Sequence, residues 1–447
     1  MIPAESVRDE TMTQIYTTAA AIADEVITRK QRPIIDWDER IDQIVTSRIW
    51  GFPIMLGLLG LVFWLTIAGA NVPSAMLADL LFALQEYLTA AFQWIGAPDW
   101  LHGLLVLGIY RGAAWVVSVM LPPMAIFFPI FTLLEDLGYL PRVAFNLDSI
   151  FRRAGAHGKQ ALTMGMGLGC NAAAIVSTRI IESPRERLIA ILTNSFVPCN
   201  GRYPTLITLA AIFMGGGVAA AYSSLVTSAT VVGIVLVGFV TTLTVSWALS
   251  KTLLRGVPSH FTLELPPYRK PQVGRVIVRS LYDRTVVVLG RAVKTAAPAG
   301  AITWLLANLN VGDASLLAHT ADFLDPFGAA LGLDGMILMA FLLGLPANEI
   351  VLPILIMGYL STGSMTELDS LDALKSLLVE QHGWTWLTAL NLMLFSLLHY
   401  PCGTTLITIY KETKSLKWAV FSAVMPLAIA IGVTFVVAQI VRLLGLV

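Results

Sequence analysis

The chain has 447 residues, of which 56% are hydrophobic and 13% charged, with a mean hydropathy of +0.74 and no net charge. A soluble fold of this length carries far more charge, so the composition specifies a polytopic membrane protein. The absence of net positive charge argues against nucleic acid as a partner.

Residues 1–50 hold no apolar run able to act as a signal peptide. The amino end is therefore expected in the cytoplasm, with the first span serving as the insertion signal. Ile15, Ala19, Ile22 and Val26 recur at helical spacing, so residues 1–48 read as a cytoplasmic amphipathic helix, a linker or docking segment. Arg29, Lys30, Arg32, Arg40 and Arg48 mark that side as inner. A first span is expected at 50–70, followed by an interfacial amphipathic segment over 74–95. The run 103–136 reads as one crossing kinked by Pro122, Pro123 and Pro129, which completes a first unit at 49–160.

The unit 161–250 begins with a broken stretch, Gly167-Leu168-Gly169-Cys170-Asn171, that starts and ends beside basic residues and so reads as a re-entrant hairpin. A span broken at Pro198-Cys199-Asn200-Gly201-Arg202 follows, then a return span. Residues 251–294 carry nine Lys or Arg and read as the main basic cytoplasmic loop. The unit 295–447 repeats the plan: a span near 295–310, an outer amphipathic segment at 313–332, and a second broken hairpin over 334–360. An acidic outer loop, a span broken at Pro401-Cys402 and a final span at 418–444 complete it. The predicted fold is thus all-α, with about seven crossings and two re-entrant hairpins.

The two halves echo each other. Gly167 to Asn171 aligns with Gly344-Leu345-Pro346-Ala347-Asn348, and Pro198-Cys199 with Thr205 to Thr208 aligns with Pro401-Cys402 with Thr405 to Thr408. If one hairpin enters from inside and the other from outside, the repeats are inverted, and paired breaks in inverted repeats point to a transporter's central site.

Cys170, Cys199 and Cys402 all lie at breaks and form no CxxC pair, so neither a disulfide framework nor a structural zinc site is implied. Together with oxygens from Asn171, Asn348 and Glu349 they form a donor set suited to a borderline divalent transition metal. Read structurally, the cysteines are instead small buried hydrophobes. Glu349, acidic at membrane depth, reads either as a ligand or gate, or as the ion-pair partner of Arg202. His399 is a weaker ligand candidate, Met164 and Met166 read as core, and Arg111, Glu135 and Asp136 read as packing or interfacial pairs. The breaks themselves are assigned to Gly167, Gly169, Pro198, Pro346 and Pro401. Phosphate-loop, HExxH and GxSxG motifs are missing, so no catalytic residue and no nucleotide binding by this chain are expected.

At these residues the chain resembles the membrane (permease) part of the ferrous iron transport protein B (FeoB) family, over most of residues 30–447. The resemblance is carried by Leu134-Glu135-Asp136-Leu137-Gly138-Tyr139-Leu140-Pro141-Arg142, His157-Gly158-Lys159, Gly169-Cys170-Asn171, Glu186-Arg187-Leu188, Glu264-Leu265-Pro266-Pro267-Tyr268-Arg269, Pro346-Ala347-Asn348-Glu349 and Pro401-Cys402 with Lys411-Glu412-Thr413. The chain departs from the family pattern at Ala172-Ala173, where a residue and then proline usually follow, and at Pro198-Cys199-Asn200, where Ser-Cys-Ser is usual. The amino-terminal GTPase domain of the family is also missing from it.

The resemblance implies Fe²⁺ transport across the cytoplasmic (inner) membrane, with Cys170 and Cys199 at the family's two gate cysteine positions and Cys402 at the third. Fe²⁺ is then cargo and the chain no enzyme. Membrane lipids surround it, a separate GTPase chain is its expected partner at residues 1–48 and 251–294, and a homo-oligomer is compatible with this picture. Two alternatives stay open: transport of a polar organic solute such as a nucleoside, and a membrane anchor or receptor for a GTPase.

Overall fold

Inside a bilayer, backbone N–H and C=O groups must pair within their own segment, and helices do this best. The computed structural model, which describes residues 4–26, 37–47, 49–216, 220–256, 268, 271–312, 314–366, 368 and 370–446, is accordingly almost all helix. Among the described residues, six helices are long and apolar enough to cross a membrane, or seven if one bent pair counts as a span. The chain is an all-α, multi-pass membrane protein.

Helices α1 (Ala4–Val26) and α2 (Trp37–Val45) precede the long α3 (Gly51–Ile95), α4 (Asp99–Asp136) and the short α5 (Tyr139–Arg153). The first hairpin is α6 (Gln160–Gly169) and α7 (Asn171–Ser177), and the first broken span is α8 (Pro184–Thr193) and α9 (Tyr203–Gly215). Then come α10 (Ala220–Lys251), α11 (Val273–Asn308), a ribbon of β1 (Asn310–Val311) against β2 (Ala314–Ser315), and α12 (Leu316–Ala330). The second hairpin is α13 (Gly335–Leu343) and α14 (Asn348–Leu360), linked through α15 (Leu371–Lys375) to the second broken span, α16 (Trp386–Leu398) and α17 (Gly403–Thr413). Helix α18 (Leu416–Leu443) ends the fold.

Several boundaries differ from the sequence reading. The single amphipathic helix expected over 1–48 is two helices, and Ile15, Ala19, Ile22 and Val26 are exposed. No interfacial segment separates from the first span: α3 continues for 45 residues with Pro73 inside it, and stops at Gly96, whose left-handed φ of 69° a glycine adopts without strain. The run 103–136, by contrast, is one span as expected, with Pro122, Pro123 and Pro129 inside α4. The loop expected over 251–294 is helical from Val273, because Val276, Val288, Ala292 and Ala296 form one buried face while Arg275 and Arg279 point elsewhere. Residues 257–267, including most of the Glu264–Arg269 motif, lie outside the described residues.

The broken elements occupy the centre. In the most apolar stretch of Trp386–Thr413, 83% of residues are buried, against 17% for Tyr222–Lys251 and 22% for α18. The latter helices therefore form the lipid-facing perimeter and leave the interior to the hairpins.

Each hairpin is clasped at its open end. Lys159 Nζ, just before α6, donates to the Ile180 carbonyl beyond α7 (3.1 Å). In the second hairpin the Tyr359 hydroxyl of α14 donates to Asp334, which caps α13, and Trp384 Nε1 donates to that hydroxyl (3.0 Å). Near the first clasp, Arg179 holds Glu412 through two bonds of 2.9 and 2.7 Å, at the end of α17 where α18 begins. Near the second, Gln439 and Arg442 at the far end of α18 donate to the carbonyls of Ala330 and Ala329. A helix of 28 residues, about 42 Å at 1.5 Å per residue, runs between the two contacts.

Around α5 a second polar node gathers three remote segments. Arg142, 1% exposed, donates to both carboxylate oxygens of Asp42 (2.9 and 3.0 Å) and to the Gly138 carbonyl. Its guanidinium lies 4.1 Å from the centre of the Tyr268 ring, and the Tyr268 hydroxyl donates to Asp42 as well. The Arg142 hydrogen bonds hold the Asp42 carboxyl below the usual carboxylate range, and burial pushes the Tyr268 phenol up to about 12. Because the folded pKa of Asp42 is depressed, its contribution is complete above the unfolded value near ~3.9 and is lost as pH falls through the folded value. Asp42→Asn should destabilise the wild-type fold by roughly 1 to 3 kcal/mol at neutral pH, since one partner is buried and the other partly exposed. Melting curves in detergent between pH 7 and 3 check this: the two proteins should converge below pH ~4.

Candidate functional site

Both hairpins break in the same way. Cys170 interrupts the first with φ −155° and ψ 122°, and Ala347 interrupts the second with φ −153° and ψ 118°. An asparagine follows each, Asn171 and Asn348. The broken spans meet these points through the backbone, Asn200 N–H donating to the Gly169 carbonyl (3.2 Å) and Gly403 N–H to the Leu345 carbonyl (2.7 Å). Each half therefore brings its Pro-Cys break against its own hairpin break. Pro198, Pro346 and Pro401 lie outside the helices at these points, and Gly169 is the last residue of α6, packed against Phe127. Gly167 instead lies inside α6, and the helix ends one residue before Cys170.

Arg202 joins the halves. It is 1% exposed and donates from Nη1 to the carbonyls of Ser195 (2.9 Å) and Leu397 (2.7 Å). From Nη2 it donates to those of His399 (3.3 Å) and Tyr400 (3.2 Å). One guanidinium thus takes up carbonyls that both broken spans leave without helical partners. The Glu349 side chain packs on Gly201, where any Cβ would collide with its carboxylate. Among the described residues no ion pair joins Glu349 to Arg202, although the two interact electrostatically at longer range.

Each cysteine stands at a break: Cys170 between α6 and α7, Cys199 between α8 and α9, and Cys402 between α16 and α17. Cys170 and Cys199 are buried, Cys402 is half-buried with Thr405 Oγ1 at 3.3 Å, and all are unoxidised. Among the described residues, no three His, Cys, Asp or Glu side chains converge into a metal-binding group. His399 is fully buried between Phe341, Phe395 and Tyr400, with Nδ1 against the carbonyls of Phe395 and Ser396. Met164 and Met166 pack in the core, and Arg111 lies over the Phe82 ring.

The sequence reading overlooked Gly201 and Asn194. Asn194 is 1% exposed and donates from Nδ2 to Asn171 Oδ1 (3.1 Å), and its one sequence signal was an amide in an apolar run just before Pro198. A cavity of about 510 Å³ reaches the back of the first break at Met166, Ala172 and Ala173, with Glu135, Lys159 and Arg291 among its other lining residues.

The gate family described as "Nucleoside recognition" matches residues 117–213 and 289–416, about half of the chain, and the family "Ferrous iron transport protein B C terminus" matches 231–284. The chain belongs to the FeoB family, as its membrane part. The Fe(2+) transporter FeoB of Staphylococcus aureus (strain MSSA476) is 30% identical over 90% of this chain and 59% of its own length. That of Synechocystis sp. is 28% identical over 91% of the chain and 63% of its own. A Porphyromonas gingivalis protein named Fe(2+) transport protein A/Fe(2+) transporter FeoB fusion protein is 27% identical over 96% and 54%. The chain thus spans between half and two thirds of these relatives. No solved structure matches it.

Arg202→Lys keeps the charge but not the planar fork that reaches four carbonyls. It should lower stability by about 3 kcal/mol or more, as loss of a buried hydrogen-bonded charge does, whereas Arg179→Lys at the exposed Glu412 pair should cost under about 1 kcal/mol. Chemical denaturation of the two variants side by side measures the difference.

Proposed function

We propose that this chain moves Fe²⁺ across the cytoplasmic membrane, past Cys170, Cys199 and Cys402, as the membrane part of a FeoB transporter. The observation that carries the reading is that each Pro-Cys break meets its own hairpin break through the backbone, Asn200 N–H to the Gly169 carbonyl and Gly403 N–H to the Leu345 carbonyl, with Glu349 packed on Gly201 beside them. Soft sulfur with a few oxygens suits a borderline divalent ion. The names of the relatives point to the same ion.

In this reading the donors stand apart until the ion draws the hairpins together, and the ion is cargo, not a resident cofactor. A thiol must lose its proton to bind, so capture releases protons and tightens with rising pH. Arg202 is a structural tie holding the broken spans while the hairpins shift. Glu349, leaning on Gly201 and free of an ion pair with Arg202, is available to the ion. The opposite placement of the two clasps along α18 favours inverted repeats, which open the site to each side in turn. The amino end is cytoplasmic, no chemistry beyond transport is assigned to the chain, and a GTPase acts as partner at α1, α2 and the adjoining segments.

The family description "Nucleoside recognition" favours a second reading, a polar organic solute such as a nucleoside. The wild-type chain in liposomes should take up Fe²⁺ under anaerobic conditions, and serine at Cys170, Cys199 and Cys402 together should reduce uptake at least about tenfold. Full uptake by the triple variant would remove the thiols from the path, and nucleoside uptake without Fe²⁺ uptake would favour the second reading.

A further inference from the structure

The two hairpins offer oxygen unequally. Asn171 and Asn348 are equivalent in the repeat, each one residue after the extended break. Asn348 is 5% exposed, and its Oδ1 has no hydrogen-bond partner. In the first hairpin the equivalent oxygen is taken, because Asn171 Oδ1 accepts from Asn194 Nδ2 at 3.1 Å. Beside that break the oxygen left without a partner is Asn194 Oδ1, on a side chain 1% exposed, while the hairpin's other unpartnered amide oxygen, Gln160 Oε1, lies at the far end of α6. Each break therefore has a buried, unsatisfied amide oxygen, supplied by the hairpin itself in the second repeat and by the turn after α8 in the first.

Two features argue that Asn194 Oδ1 is held for a ligand. A buried carbonyl oxygen with empty lone pairs is costly, and native folds keep few of them. Space is also left for it: a Cβ at Gly167 would stand 3.0 Å from Asn194 Oδ1 and 3.3 Å from Asn171 Oδ1, so the glycine keeps a notch in α6 beside both amides. That notch is one turn before Cys170, whose N–H closes the last helical bond to Met166.

On the divalent-ion reading above, we propose that Asn194, and not Asn171, supplies the amide-oxygen ligand of the first hairpin, as the counterpart of Asn348 in the second. Asn171 is then a positioning residue, which orients Asn194 by accepting its N–H. A neutral amide adds an oxygen without charge, which suits a site that must bind a divalent ion beside thiolates and still release it.

The test is titration of the purified full chain in detergent with Co²⁺, whose absorption reports both affinity and thiolate bonding. Asn194→Ala should weaken Co²⁺ binding about tenfold or more while keeping the thiolate-to-cobalt band. Asn194→Asp, which restores an oxygen and adds charge, should bind at least as tightly as wild type. Asn391, whose Oδ1 is equally buried and unpartnered but whose amide donates to Leu331 and Thr434 away from the breaks, is the control, and its alanine variant should bind normally. Wild-type affinity in Asn194→Ala, weaker binding in Asn194→Asp, or equal losses in the Asn194 and Asn391 alanine variants would overturn the assignment while leaving the metal reading intact. A wild-type chain that binds no Co²⁺ and no Fe²⁺ would overturn both.

Discussion

A helix interrupted inside apolar surroundings exposes carbonyls that neither water nor lipid can satisfy, and this fold interrupts four elements in its buried interior. Arg202 is what makes that tolerable. Its guanidinium donates across the repeat boundary to Ser195 on one side and to Leu397, His399 and Tyr400 on the other. A lysine has the charge but no fork, and a neutral amide has too few donors. The interaction also explains why the residue is not consumed by the nearest acid. Its two terminal nitrogens are directed at backbone, while Nε has no hydrogen-bond partner among the described residues, and the Glu349 carboxylate stays against Gly201.

The remaining polar contacts sort into fixed points and loose ones. Lys159 with Ile180, and Tyr359 and Trp384 with Asp334, hold the open ends of the hairpins, while the tips carry Cys170 in the first and the unsatisfied Asn348 oxygen in the second. An element clasped at its base and under-bonded at its tip has its low-cost motion at the tip. That division places mobility at the breaks. The Asp42–Arg142–Tyr268 node lies outside the core, yet it grips α5, which runs straight into the first hairpin.

Much of this was legible in the residues. The composition gave the membrane class, and Gly, Pro, Asn and Cys inside apolar runs located all four breaks, because polar and helix-breaking residues at that depth are too costly to be incidental. The repeat alignment also paired Cys170 with Ala347, whose backbone angles agree within a few degrees. Helix ends were read less well. The interfacial segment expected over 74–95 is instead part of α3, since a long helix absorbs a proline such as Pro73 where neighbours satisfy the freed carbonyl. Arg275 and Arg279 suggested a loop, but residues with long stems decorate a helix whose other face is buried.

The sequence by itself determined the class and the apolar runs that are interrupted, since these follow from local hydropathy and backbone propensity, but not which glycine ends the helix, as Gly167 lies inside α6. Only the tertiary structure decided what those residues face. Whether Arg202 meets Glu349 or four carbonyls, and whether Asn171 or Asn194 holds the open oxygen, depends on contacts between segments up to about two hundred positions apart. A hydrogen bond is directional and short, and no periodicity along the chain encodes which distant carbonyl lies within its reach.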